Sequence, residues 1–193
     1  MLERLPLGAV IALSFISALA TAAQPPLEMR DLLSIGVDAP DAGLKWGASR
    51  RQIRHRYPEL IEHPAFLGFR LQGRVSAQGC TFTVYLSGSR TSDRLEQIWI
   101  VHRNGPLAQC RSQLESALAA LYGRASTVTT PATQNEGEAT LSDWRSATTC
   151  VNLKWEEQGV EHGVSPLEVK LGDLQGGCGY SDQVVPTEPR GAR

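Results

Sequence analysis

Four cysteines divide this chain into two stretches of similar length. Cys80 and Cys110 lie 30 positions apart, and Cys150 and Cys178 lie 28 apart. In a chain that opens with an export leader, cysteines at such spacings are expected to be bridged rather than free. No two of them form a C-x2–4-C arrangement, which argues against a zinc site. The pairs bracket matching runs of residues, so the chain is expected to use one αβ unit twice.

Residues 1–23 have the form of a signal peptide. Arg4 supplies the positive end, an apolar stretch covers 7–19, and Ala20-Thr21-Ala22 gives the small-x-small cleavage pattern. The apolar stretch falls short of the roughly 20 residues that a spanning helix needs. No second such stretch follows, and no cysteine stands behind the first to carry a lipid. The expectation is a periplasmic or secreted chain, soluble and without stable membrane insertion. Removing the leader from 193 residues leaves about 170, enough for one domain or two small units sharing a core.

Residues 24–43 form an N-terminal segment before the first unit, 44–104. In that unit Ser49 is placed to cap a helix and Gln52 to close a capping box, with Ile53, Tyr57 and Leu60 on one face and Pro58 ending the helix. Strand-like runs follow at 66–71, 80–86 and 95–102, the last two separated by glycine and serine as in a hairpin. The second unit, 105–180, restarts at Asn104-Gly105-Pro106 with a helical stripe of Leu107, Cys110, Leu114, Ala117, Leu118 and Leu121, closed by Gly123. Strands are expected at 139–145, 150–156 and 167–171, with 126–138 as a polar loop and 181–193 as a disordered tail.

The units match at three points. Ile53-x3-Tyr57 answers Leu118-x3-Tyr122 at a helix end, Cys80-x4-Tyr85 answers Cys150-x4-Trp155 in a strand, and Leu95-Glu96 answers Leu167-Glu168. Such a repeat implies the bridges Cys80–Cys110 and Cys150–Cys178, each closing a loop worth roughly 3–4 kcal/mol in the chain-entropy picture. Four cysteines allow three connectivities, and a bridge between units stays open from spacing alone.

No nucleophile elbow, phosphate loop or zinc helix motif occurs in the sequence. The four histidines, at 55, 63, 102 and 162, stand at no metal-ligand spacing. No catalytic, cofactor-binding or metal residue is therefore assigned. Charge is unevenly distributed: 45–103 carries ten Lys/Arg against four acids, and 106–193 carries seven against eleven. Arg51, Arg54 and His55 should point outward from the first helix, either as an ordinary solvated face or as a patch for an acidic partner. Trp99 and Trp155 are expected in the core. Trp46 and Trp144, nearer element ends, are the better candidates for partner contact. The export leader and the lack of interleaved aromatics argue against nucleic acid.

The segment Leu44-Lys45-Trp46-Gly47-Ala48-Ser49-Arg50-Arg51-Gln52-Ile53 resembles a helix-opening motif of the small-protein-A/outer-membrane-assembly (BamE-like) superfamily, in which an apolar–Gly–Met–Ser/Thr segment leads into a helix. Ala48 stands where the motif has Met. The tandem layout with two bridges is similar to the arrangement of the β-lactamase inhibitor proteins, although the cysteine spacings are wider. The resemblance implies a fold that binds other proteins through a sheet face and loops, and it transfers no functional residue. The sequence thus predicts an α+β protein: two tandem αβββ units, antiparallel sheets with helices packed on one side. Its expected role is a non-enzymatic protein-binding module, an inhibitor or immunity-like partner of an enzyme. The alternatives are an envelope assembly factor binding anionic cell-wall or lipid groups, and a small hydrolase with an unrecognised site.

Overall fold

The computed structural model describes residues 26–37, 43–63, 68–88, 93–130, 139–156 and 166–174. The proposed leader, the tail and Cys178 lie outside these residues. The chain runs through α1 (Met29–Leu33), α2 (Arg50–Arg56), β1 (Ile61–Glu62), β2 (Phe69–Ala77), β3 (Cys80–Gly88), β4 (Gln97–Asn104), α3 (Leu107–Tyr122), β5 (Ser126–Thr130), β6 (Ala139–Arg145), β7 (Thr149–Glu156) and β8 (Leu167–Asp173). The fold is α+β and predominantly sheet.

Local chemistry sets several of these boundaries. Ser49 caps α2, accepting from the Gln52 backbone, while the Gln52 side chain accepts from Ser49 N–H at 2.8 Å. Gly123, with φ of 81°, ends α3, whose buried residues Cys110, Leu114 and Leu118 recur every fourth position. Between β2 and β3, Gln78 and Gly79 both have positive φ and form a two-residue hairpin turn. Two left-handed residues in succession match the twist of the flanking strands.

All eight strands form one antiparallel sheet in the order β1-β2-β3-β4-β8-β7-β6-β5. This corrects the expectation of separate sheets built from three strands per unit. Each segment contributes four strands, and the last strand of each meets the other at the sheet centre, where Ile98 faces Leu171 and Ile100 faces Val169. β4 carries the apolar run Ile98–Val101 and β8 alternates as Leu167-Glu168-Val169-Lys170-Leu171; both show in sequence as strands but carry no mark of the edge they will join. Two strands were not anticipated. Ile61–Glu62 is only two residues long, and Ser126–Thr130 is so polar that it reads as part of a loop.

One face of the sheet carries the core. Leu71, Val84, Leu86, Ile98, Ile100, Val169, Leu171, Val151 and Leu153 join Ile53 of α2 and Leu114 and Leu118 of α3 in one buried cluster. The segment before α2 belongs to it as well: Leu27, Leu32, Leu33, Ile35 and Leu44 are all buried. Tyr57 donates to Asp31 (3.2 Å) and Tyr122 donates to the carbonyls of Leu33 and Ile35 (2.8 and 2.9 Å), so both helix ends hold this segment. At Gly73 on β2 an added Cβ would come within 2.5 Å of the Leu60 side chain, so the glycine leaves room for that contact.

The expected bridge Cys80–Cys110 is present, with a Cα–Cα distance of 5.7 Å, and it ties β3 to α3 inside the core. Cys150 is disulfide-bonded too. It lies opposite Gly172 and Arg145, on the sheet face turned away from the core. Cys80 and Trp155 are on the core face, whereas Cys150 and Tyr85 are on the other, so the strand match proposed from sequence reverses its facing between the two segments. The helix-end match keeps its facing: Ile53 and Leu118 are both buried, and both tyrosines bond to the α1 segment.

Candidate binding face

The face opposite the core is built by alternation. With Ile98 and Ile100 committed to the core, Trp99 must point the other way, and cross-strand pairing extends its row over the whole sheet. That row runs Ile61, Gln72, Tyr85, Trp99, Lys170, Asn152, Asp143 and Ser126, one residue from each strand. Ile61, at its edge, is 61% exposed, the most exposed large hydrophobic side chain among the described residues.

The middle of the row is an aromatic and cationic ladder. Tyr85 and Trp99 rings lie 5.5 Å apart, tilted by 37°. His63 meets Tyr85 edge-on at 5.5 Å, Arg70 sits 5.8 Å from the Tyr85 ring centre, and Lys170 sits 5.2 Å from that of Trp99. Trp99 Nε1 donates to Glu168 at 2.9 Å, and Lys170 lies 3.8 Å from the same carboxylate. Farther along, Asn152 donates to Asp143 at 2.5 Å and Lys154 pairs with Glu156 at 2.5 Å. These contacts hold the side chains in place, which lowers the entropy that a partner would have to remove on docking.

The adjacent row sets Arg74 opposite Thr83 and Thr83 opposite Val101. A β-bulge interrupts the pairing of β3 and β4 at Thr81 and Phe82, leaving Arg103 between the paired residues His102 and Asn104. Arg103 then reaches back across the sheet, donating from Nε to Thr83 Oγ1 (2.9 Å) and from Nη2 to Tyr85 Oη (3.4 Å). Alternation from Trp99 and Val101 already places Arg103 on this face.

The five residues expected to contact a partner are not brought together. Arg51, Arg54 and His55 are exposed on α2 and line a shallow depression of about 760 Å³ that also includes Arg50, Pro58 and Asp93. Glu62 partly neutralises this patch through ion pairs with Arg50 and with Arg54 (3.5 Å). Such exposed pairs contribute little to stability. Trp46 is half-buried, its Nε1 donating to Thr149 Oγ1 at 2.7 Å. Trp144 is 4% exposed and sits on the core face opposite Val151, bonded to the Gly123 carbonyl at 3.0 Å. The expectation that Trp144 would reach a partner is therefore corrected, and so is the placement of Trp99 in the core.

The unbroken run Ile98-Trp99-Ile100-Val101 hid this face, because alternation cannot be read where every residue is apolar. Trp155 lies at the core margin beneath Arg111, whose guanidinium is 4.6 Å from its ring centre. A second concavity, of about 660 Å³, opens between α1 and α3 and is lined by Met29, Leu33, Leu114, Ala117 and Leu121. Among the described residues, no group of three or more His, Cys, Asp or Glu could hold a metal ion, and no helix is long and apolar enough to cross a membrane.

Compared with known proteins, the chain matches no family model, no curated protein and no solved structure.

Proposed function

We propose that this chain is an exported, non-enzymatic binding module that recognises a partner protein through the sheet face opposite its core. The observation that carries the reading is the row from Ile61 to Ser126. It combines an exposed aliphatic edge, a stacked Tyr85–Trp99 pair and mixed charges on a rigid sheet. Aromatic side chains held in place are the usual anchors of protein interfaces. Accessibility along this face is uneven: Ile61 is exposed and Trp99 half-buried, whereas Thr83, Tyr85 and Val101 are buried.

The finer architecture belongs to the same reading. The helix-then-four-strands order of each segment, joined last strand to last strand, favours a duplicated αββββ unit with helices on one side. The matched helix ends at Tyr57 and Tyr122 support it, and the reversed facing of the cysteines weighs against a residue-for-residue repeat. Export to a periplasmic or extracellular compartment is supported by the buried Cys80–Cys110 bridge, since such bridges persist where the surroundings are oxidising.

A photo-crosslinking amino acid at position 72, on the face, and another at position 120, on the exposed side of α3, test the reading in the native host. The reading predicts a discrete protein adduct from position 72 that excess unlabelled chain competes away, and none from position 120. Adducts confined to position 120 would refute it.

The second reading, attachment to an anionic envelope polymer, is favoured by the depression over Arg50, Arg51, Arg54 and His55. Salt-labile retention on such a polymer, lost on Arg51→Glu with Arg54→Glu, would support it.

A further inference from the structure

We infer that the β2–β4 part of the binding face holds a carboxylate site organised by Arg74, Arg103 and Thr83, which takes an acidic side chain of the partner protein. This inference rests on the face reading and deepens it.

The site is defined by an imbalance of charge. Arg74 stands across from Thr83 on one side, and Arg103 closes over Thr83 from the other. Both arginines are exposed, and neither has a carboxylate partner among the described residues. Arg103, on the same face as Trp99 and Val101, donates to two hydroxyls, Thr83 Oγ1 and Tyr85 Oη, which leaves its positive charge uncompensated. An anion bound between the two side chains would accept charge-assisted hydrogen bonds from both.

The rest of the face determines which anion fits. On the same surface Glu168 is held by Trp99 and Lys170, Glu156 by Lys154, and Asp143 by Asn152. A uniformly anionic polymer laid across the sheet would run past the half-buried Asp143, while Glu156 and Glu168 are buried and paired with their lysines. A polypeptide of mixed charge can place one acidic residue at Arg74 and Arg103 and neutral or basic residues farther along. The stacked Tyr85 and Trp99, adjoining the site, suit the apolar part of such a segment.

The test uses the full chain and a fluorescein-labelled peptide of six glutamates, with a six-glutamine peptide and inorganic polyphosphate as further probes. Anisotropy at low salt should show saturable, salt-labile binding of the glutamate peptide and none of the glutamine peptide. Arg74→Gln and Arg103→Gln should each weaken binding about tenfold, about 1.4 kcal/mol, and Arg51→Gln with Arg54→Gln should leave it unchanged. Arg74 is exposed and bonded to no other described group in the structure, so its variant tests the site without endangering the fold.

An absence of peptide binding, equal loss from the α2 pair, or tighter binding of polyphosphate than of peptide would each overturn the carboxylate site. The crosslink from position 72 separates the two claims. If its adduct forms undiminished in the Arg74→Gln, Arg103→Gln double variant, the carboxylate site falls and the face reading stands. If wild type gives no adduct there, the face reading falls with it.

Discussion

Tyr57 and Tyr122 close their helices in the same way: each sends its hydroxyl to the segment around α1, Tyr57 to Asp31 and Tyr122 to the carbonyls of Leu33 and Ile35. The N-terminal segment is thereby part of the core. Tyr122→Phe should lower stability by about 1–2 kcal/mol, because two carbonyls lose a donor in a site largely closed to water. Urea unfolding at neutral pH measures this directly.

The same tyrosine gives an alkaline prediction. Burial pushes the Tyr122 hydroxyl up to about 12 from its ordinary value near 10. The folded state therefore keeps a proton that the unfolded chain releases, and stability should decline as pH rises from 10 towards 12. Tyr122→Phe should flatten that decline.

At the acid end His102 governs. Its position on the core face beside Phe82 lowers its pKa below the usual 6.5, burial being the main cause. The unfolded chain takes up this proton first, so His102 should cost stability as pH falls from about 7 through 6.5 and below. Comparing pH-dependent urea midpoints of wild type and His102→Gln isolates the contribution.

The two tryptophans whose placements changed give a paired prediction. Trp144→Ala should cost about 3–5 kcal/mol, because it removes a buried ring from the core. Trp99→Ala should cost much less in stability and should remove partner binding. Comparable losses of stability from both would contradict the assignment of faces.

Cleavage of the leader proposed for residues 1–23 should leave Leu27 in place, since Leu27, Leu32, Leu33 and Ile35 are buried. Mass spectrometry of the exported chain should show Leu27 retained. A chain starting at residue 38 should unfold at markedly lower urea concentration.

Much of this framework was legible in the sequence, and the reasons for the rest are physical. The capping box at Ser49 and Gln52, the stripe on α3 and the Cys80–Cys110 bridge depend on short-range spacing, which a sequence displays. The union of both segments through β4 and β8 depends on pairing between strands about 70 residues apart, which spacing does not reveal. The facing of Trp99 was hidden for a related reason. Trp99 lies between two isoleucines, and only the register of β4 against β3 and β8 shows which of the three points away from the core. Arg103 was also invisible as a site residue, because its partners Thr83 and Tyr85 lie on another strand and only the β3–β4 pairing brings them together.

The central claim is that the face carrying Tyr85 and Trp99 is where this chain meets its partner. The most direct measurement is the yield of the position-72 crosslink in the native host, compared between wild type, Trp99→Ala, and Arg51→Glu with Arg54→Glu, with the fold of each checked by its urea midpoint. The account predicts one discrete protein adduct that is lost in Trp99→Ala and kept in the α2 variant. An adduct that survives Trp99→Ala and disappears with the α2 charges would contradict it.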